Sequence, residues 1–220
     1  MKKESENLEM KILILSPHAD DAEYGCGGLI ADSIKKGLDV YVIVFSFWEE
    51  SIPQGFDRDE TKREFDTSMA VLGIKKENQI SFNFRVRHFL DRRQDILELL
   101  IEWKDIISPD IIFMPASTDI HQDHHVIYSE GLRAFKDRTI YGFEIFRNNI
   151  NFNAQMYYQL DREALHLKIG ALNSYHTQAV RIKGRPYEKA EFMEHVAKMR
   201  GAQVGMEYAE CFEVIRKIGI

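Results

Sequence analysis

The sequence predicts an α/β protein built on a doubly wound, mostly parallel sheet, strand order 3-2-1-4-5, with extra C-terminal elements. Three observations predict it. Short β-branched apolar runs alternate with segments whose apolar residues keep helical spacing, the pattern of repeated strand–helix units. The first run, Lys11-Ile12-Leu13-Ile14-Leu15, leads directly into a cluster of ionisable residues, and open α/β sheets hold their ligands at the carboxyl ends of strands. A second such cluster follows the fourth run, and right-handed crossovers make strands 1 and 4 neighbours.

Residues 1–9 read as a loose, polar lead-in. Strand 1 is expected near 10–16, and the first helix near 26–36 with Gly37 as its stop. The second strand spans 39–46. Residues 47–59, with Trp48, Glu49, Glu50, Pro53 and Gly55, form an irregular loop that suits either a lid or a solvated surface. A helix over 58–72 aligns Phe65, Met69 and Leu72 before Gly73. A strand at 79–84 follows, then a helix at 91–107 on which Ile96, Leu97, Leu100, Ile101 and Trp103 keep helical spacing. The fourth strand is 110–115, with a loop at 116–123 and a helix at 124–135. Strands at 139–146 and 155–160, helices at 165–174 and 188–200, and a strand or helical tail at 213–216 complete the chain. No repeat or linker interrupts this order, so 1–220 reads as one domain.

The composition narrows the function. The chain of 220 residues is 45% hydrophobic and 29% charged, enough for a full core and too apolar for disorder. A net charge of -6 with no basic cluster argues against a general nucleic-acid or anionic-membrane surface. Cys26 and Cys211 match neither a disulfide framework nor a zinc knuckle. The first ten residues hold no apolar signal core, and no run approaches a membrane span, so a cytoplasmic protein is expected.

Ser16-Pro17-His18-Ala19-Asp20-Asp21-Ala22-Glu23 places a histidine and three carboxylates at the end of strand 1. Carboxylates that close repel one another unless a cation neutralises them. Imidazole with carboxylate suits zinc, or another divalent metal such as Fe²⁺. A metal held there needs ligands from the loop after strand 4, which reads Ser117-Thr118-Asp119-Ile120-His121-Gln122-Asp123-His124-His125. His18, Asp21 and His124 make a three-ligand set that leaves a zinc position open for water. Asp20 and His121 are then free for acid–base or electrostatic work. Asp119 or Asp123 can orient a ring nitrogen. His125 points elsewhere on the helix. The Gly25-Cys26-Gly27-Gly28 run lacks dinucleotide-binding spacing, and the acidic loop before it would repel a pyrophosphate. Its glycines suit close helix packing, with Cys26 as a small packing residue.

Pro17-His18-Ala19-Asp20-Asp21-Ala22-Glu23 with Gly25-Cys26-Gly27-Gly28, and His121-Gln122-Asp123-His124, resemble the signature of the PIG-L/LmbE-like zinc deacetylases. The resemblance continues through Arg63-Glu64, Glu144, the stretch from Lys168 to Gln178, and Arg200-Gly201. It ends at Tyr208-Ala209-Glu210-Cys211-Phe212 and so covers nearly the whole chain. Ala19 and Thr177 stand where the family more often has Pro and Ser, and neither change removes a ligand.

The resemblance implies a Rossmann-like fold and zinc-dependent hydrolysis of an N-acetyl group, typically on an N-acetylglucosamine-type amino sugar or its conjugate. His18, Asp21 and His124 match metal ligands, and Asp20 matches the general base. His121 matches the residue that stabilises the oxyanion or assists the leaving amine. Arg63 falls in a helix that contributes substrate contacts in relatives. An acetamide is a poor electrophile, so a metal that polarises its carbonyl, a carboxylate base and a nearby histidine suit the task. Glu144 contacts substrate from the crevice or is a strand-end carboxylate. Gln178 binds a sugar hydroxyl or caps a helix. Arg181, Lys183 and Arg185 form a basic run, either a solvated loop or a contact for an anionic group on the substrate. The expected partner is a small N-acetyl amino sugar, with no nucleic acid and no membrane span; a homo-oligomer is left open. The alternatives are an amidase for another N-acyl group or a thiol-sugar conjugate, and a non-catalytic metal-binding protein of the same fold. Pure metal binding needs neither Asp20 nor His121, which weighs against the last.

Overall fold

The computed structural model describes residues 10–183 and 190–219. The lead-in at 1–9, Arg185 of the basic run and the first residues of the helix expected at 188–200 lie outside the described residues. The elements run β1 (Lys11–His18), α1 (Asp21–Lys35), β2 (Asp39–Ser46), α2 (Glu60–Leu72), β3 (Gln79–Ser81), α3 (Arg93–Ile107) and β4 (Ile111–Pro115). After them come α4 (Gln122–Ala134), β5 (Thr139–Phe143), β6 (Met156–Gln159), α5 (Arg162–Leu172), α6 (His176–Arg181), α7 (Phe192–Ala202) and β7 (Ala209–Arg216).

The sheet order is β3-β2-β1-β4-β5-β7-β6, so the expected 3-2-1-4-5 core is present and parallel. Alternation along β1 explains why helices cover both faces. Ile12 and Ile14 enter one apolar cluster with α1, α2 and α5, whereas Leu13 and Leu15 enter the other with α3 and α4. The C-terminal addition is antiparallel: β7 pairs with β5 at Phe143↔Phe212, and β6 edges the sheet at Met156↔Phe212. β7 begins at Ala209, earlier than the apolar pattern indicates, because the buried Glu210 interrupts that pattern.

The other correction concerns α1. Its expected start near residue 26 is too late; the helix begins at Asp21, directly after Asp20 turns the chain in the left-handed conformation (φ 92°). Gly25 falls before the expected start, yet it lies with Gly27 and Gly28 inside a buried helix. A Cβ on Gly25 would sit 2.5 Å from the Phe143 ring, and one on Gly28 2.6 Å from Leu160. Close approach of β5 and α5 to α1 demands the missing side chains, and tertiary packing overrides helix propensity.

The C-terminal strand also enters α1's backbone ladder. The N–H groups of Gly28 and Leu29 donate to the buried Glu210 carboxylate at 2.9 and 2.8 Å. Lys168 donates to the Tyr24 carbonyl at 2.7 Å and to Glu210 at 2.6 Å. The ion pair therefore adds side-chain partners to backbone groups in mid-helix and ties α5 and β7 to α1.

Candidate active site

β1 ends in His18, and α1 starts three residues past it, so Asp20 and Asp21 fall at the carboxyl edge of the sheet. β4 ends at Pro115, beside β1, and its loop leads into α4 with His121 at the N-cap. The two loops meet in the crevice. His18 Nδ1 lies 3.2 Å from Asp21 Oδ2 and 3.1 Å from His124 Nε2, and the latter two are 3.0 Å apart. The far nitrogen of each ring meets a carboxylate: His18 Nε2 with Asp123 at 2.9 Å, and His124 Nδ1 with Asp119 at 2.7 Å. Rings that donate outward from those nitrogens turn the lone pairs of the other two inward. Two imidazole lone pairs and a carboxylate oxygen thus converge on one point, a donor set that fits a divalent cation.

The outer carboxylates are themselves fixed. Asp123 accepts from the backbone N–H groups of Arg87 at 2.6 Å and Phe89 at 3.4 Å, and Asp119 accepts from His121 N–H at 2.8 Å and Asn148 at 3.3 Å. Nothing in the sequence around Arg87 signals its contact, because a backbone donor carries no side-chain signature, and the Asn148 side-chain amide lies 29 residues from Asp119.

Electrostatics follow the geometry. Burial works against positive charge at His124, yet Asp21 and Asp119 favour it, the same attraction they would exert on a bound cation. Burial opposes the Asp21 carboxylate too, but His124 and His18 hold it well below its ordinary range. Burial, then the neighbouring Asp21, raises Asp20 to about 7.

His121 completes a group of three histidines, with His18 and His124, whose nitrogens lie within 4.8 Å and which could hold a metal ion. Its Nδ1 accepts from the Asp123 backbone N–H at 3.2 Å. The neutral ring then carries its proton on Nε2, which makes it a donor rather than a ligand there. Burial, His124 and His18 lower it to about 4, so the uncharged form holds near neutrality.

The Asp20 carboxylate accepts from Gln178 Nε2 at 2.7 Å and borders a cavity of about 320 Å³ that Tyr24, Asn173, Tyr175, His176 and Gln178 also line. Arg63 lies on the exposed side of α2 with Asp57 and Glu60 as partners. Its neighbour Glu64 is the buried one, and it accepts from both Thr177 N–H and Thr177 Oγ. Glu144 is no plain surface carboxylate, since it makes a largely buried pair with Arg200 and receives Cys211 Sγ at 3.5 Å. Trp48, at the head of the 47–59 loop, is buried. Cys26 is buried and its thiol is pushed well above the ordinary range, as befits packing. His125 is exposed and stacks on Tyr128.

Fold and family match together define a hydrolase of the deacetylase type, with a group of three histidines, His18, His121 and His124, that could hold a metal ion at the sheet's switch point. Residues 13–135, which carry both clusters, match the family model described as "PIG-L: GlcNAc-PI de-N-acetylase". The chain belongs to the PIG-L family. It is similar to the uncharacterized deacetylase YaiS of Escherichia coli (strain K12), 27% identical over 78% of this chain and 93% of that one. It is also similar to a probable N-acetyl-alpha-D-glucosaminyl L-malate deacetylase 2 of Bacillus subtilis (strain 168), 28% identical over 76% of this chain and 82% of that one. The N,N'-diacetylchitobiose deacetylase of Pyrococcus horikoshii shares the fold, with a TM-score of 0.72 and 19% identity over 93% of this chain and 83% of that one. Among the described residues, no helix is long and apolar enough to cross a membrane.

Proposed function

We propose that the protein is a zinc-dependent N-deacetylase that hydrolyses the acetamide of an N-acetylglucosamine-type amino sugar or sugar conjugate, with the whole chain acting as one catalytic domain. The observation that carries this reading is the convergence of His18 Nδ1, Asp21 Oδ2 and His124 Nε2 at 3.0–3.2 Å from one another. Tetrahedral ligands about 2.0–2.1 Å from zinc lie roughly 3.3 Å apart, so the set suits zinc, and Fe²⁺ takes the same donors. The sugar class is supported by relatives whose names specify N-acetylglucosaminyl malate and diacetylchitobiose. Fold alone does not select a reaction.

A divalent cation held by His18, Asp21 and His124 would supply Lewis acidity and lower the pKa of water. Asp20 takes the proton from the attacking water. Its carboxylate borders the cavity and is held by Gln178 Nε2 at 2.7 Å, where it can accept a proton and return it. The neutral His121 presents Nε2–H to the oxygen on which negative charge develops. As the C–N bond breaks, Asp20 returns its proton to the amine. Acetate and the free amino sugar result. His121 is assigned the oxyanion rather than the amine because its ring is neutral with Nδ1 accepting from a backbone donor, and a neutral imidazole N–H can donate a hydrogen bond but is too weak an acid to protonate an amine.

The test joins metal content with turnover. Purified protein loaded with zinc should hold about one metal per chain and release acetate from at least one member of a panel of N-acetylated amino sugars and conjugates. His124→Ala should lose most of the metal and the activity together. Metal-loaded protein that releases acetate from none of the panel would sink the reading; release of a different acid would move it to another N-acyl group.

A further inference from the structure

We propose that Gln178 and Arg181 are positioning residues that hold the Asp20 carboxylate in its working orientation, an inference that rests on Asp20 being the base. Asp20 stands at the N-cap of α1 in a left-handed backbone conformation, yet its side chain makes no capping hydrogen bond. The direction of this buried carboxylate is therefore set by groups from outside its own loop. The hydrogen bond that fixes it comes from 158 residues away, where Gln178 Nε2 donates to Oδ2 at 2.7 Å.

The direction of that amide is determined by its other end. Arg181 Nε can only donate, and it meets Gln178 Oε1 at 2.6 Å. The oxygen of the amide must face Arg181, so the nitrogen must face Asp20. A rotated amide would set its oxygen against the carboxylate, two acceptors in contact, and the carboxylate would turn away. Arg181 in turn lies over the buried Trp48 ring, 5.3 Å from its centroid. The relay thus runs from the head of the 47–59 loop through the guanidinium and the amide to Asp20.

The scaffold under the relay is built to match. α6 has only six residues, too few to stand alone. Glu64 anchors its first turn by accepting from Thr177 N–H at 2.8 Å and from Thr177 Oγ. Just before the helix, Tyr175 donates its hydroxyl to the buried Glu23 at 2.6 Å. Gln178 itself is only 3% exposed, with both amide ends committed, which suits a support rather than a sugar contact.

Kinetics and crystallography of Gln178→Ala, Arg181→Ala and the double variant test this. Gln178→Ala should lower kcat by on the order of 10–10²-fold with KM and metal content unchanged. Arg181→Ala should move kcat the same way by less, and Arg181→Lys should recover part of that loss. The double variant should lose less than the product of the two single losses, because Arg181 orients Gln178 and its direct pull on the Asp20 charge is the smaller part of its effect. Losses that multiply, or a raised KM with kcat held, would overturn the proposal; the second result would make Gln178 a substrate contact. Crystal structures of the single variants should show the Asp20 carboxylate turned from its present direction, and an unmoved carboxylate in both would overturn the proposal whatever the activity. A wild-type protein that deacetylates nothing would remove the deacetylase reading, while the crystallographic comparison would still decide whether Gln178 and Arg181 position Asp20.

Discussion

Asp20 and Asp21 are neighbours in the chain with opposite surroundings. The Asp21 carboxylate lies between two imidazoles that favour its charge, whereas Asp20 is turned by its left-handed backbone towards Gln178 and a cavity. Asparagine keeps the shape of either side chain but cannot take a proton. Asp20→Asn should keep its metal and lose turnover by roughly 10²–10⁴-fold, the usual range for a general base. Asp21→Asn should weaken metal affinity, with activity partly restored by excess zinc. Metal titration beside acetate release separates the two, and the reverse pattern would exchange their roles. At this scale the sequence was informative where a cluster is local. His18, Asp20 and Asp21 lie within four residues, and Asp119, His121, Asp123 and His124 within six, so repulsion and ligand chemistry could be argued on the printed chain. The bond from Gln178 to Asp20 has no such signature, because 158 residues separate its ends. Glu64 was hidden for the same reason, lying beside the more conspicuous Arg63.

Among the elements, α1 teaches most about what apolar pattern and turn residues leave out. Strands β1, β2 and β4 were legible because each is a short apolar run buried on both faces. The start of α1 was not, since glycines are poor helix formers and the reason for them lies on β5 and α5. Two alanine substitutions test that reason. At Gly25 the new Cβ would meet the Phe143 ring at 2.5 Å, and overpacking should destabilise the protein by about 1–3 kcal/mol. At Gly170, in α5, the nearest atom is a Val71 methyl at 3.4 Å, an ordinary contact, so alanine should be neutral or stabilise by up to about 1 kcal/mol. Urea unfolding of the two variants should give shifts of opposite or clearly different size. Equal losses would mean that glycine at 25 serves backbone freedom rather than close approach.

Across the whole molecule, the parallel core and its switch point followed from strand order, whereas the antiparallel β6 and β7 did not, because a buried charge at Glu210 breaks the apolar run that would announce β7. That charge is structural. Lys168 and Glu210 are both about 4% exposed at the side chain, and removal of one partner strands the other together with the α1 N–H groups it serves. Glu210→Ala should cost about 3–5 kcal/mol, measured by denaturant unfolding, far more than an exposed pair such as Lys35 with Asp161. A loss under about 1 kcal/mol would mean that water takes over both roles.

The same pair sets an order of events during synthesis. Gly28 leaves the ribosome 182 residues before Glu210 does. At about 5–20 residues per second, the nascent chain waits on the order of 10–40 s for the group that completes its first helix. Through that interval β1, β2 and β4 can already be made, but the helix that presents Asp20 and Asp21 still lacks its mid-length acceptor. A helix made early is therefore braced by a strand made late, and chains stalled before Glu210 should remain protease-sensitive around Tyr24–Leu29.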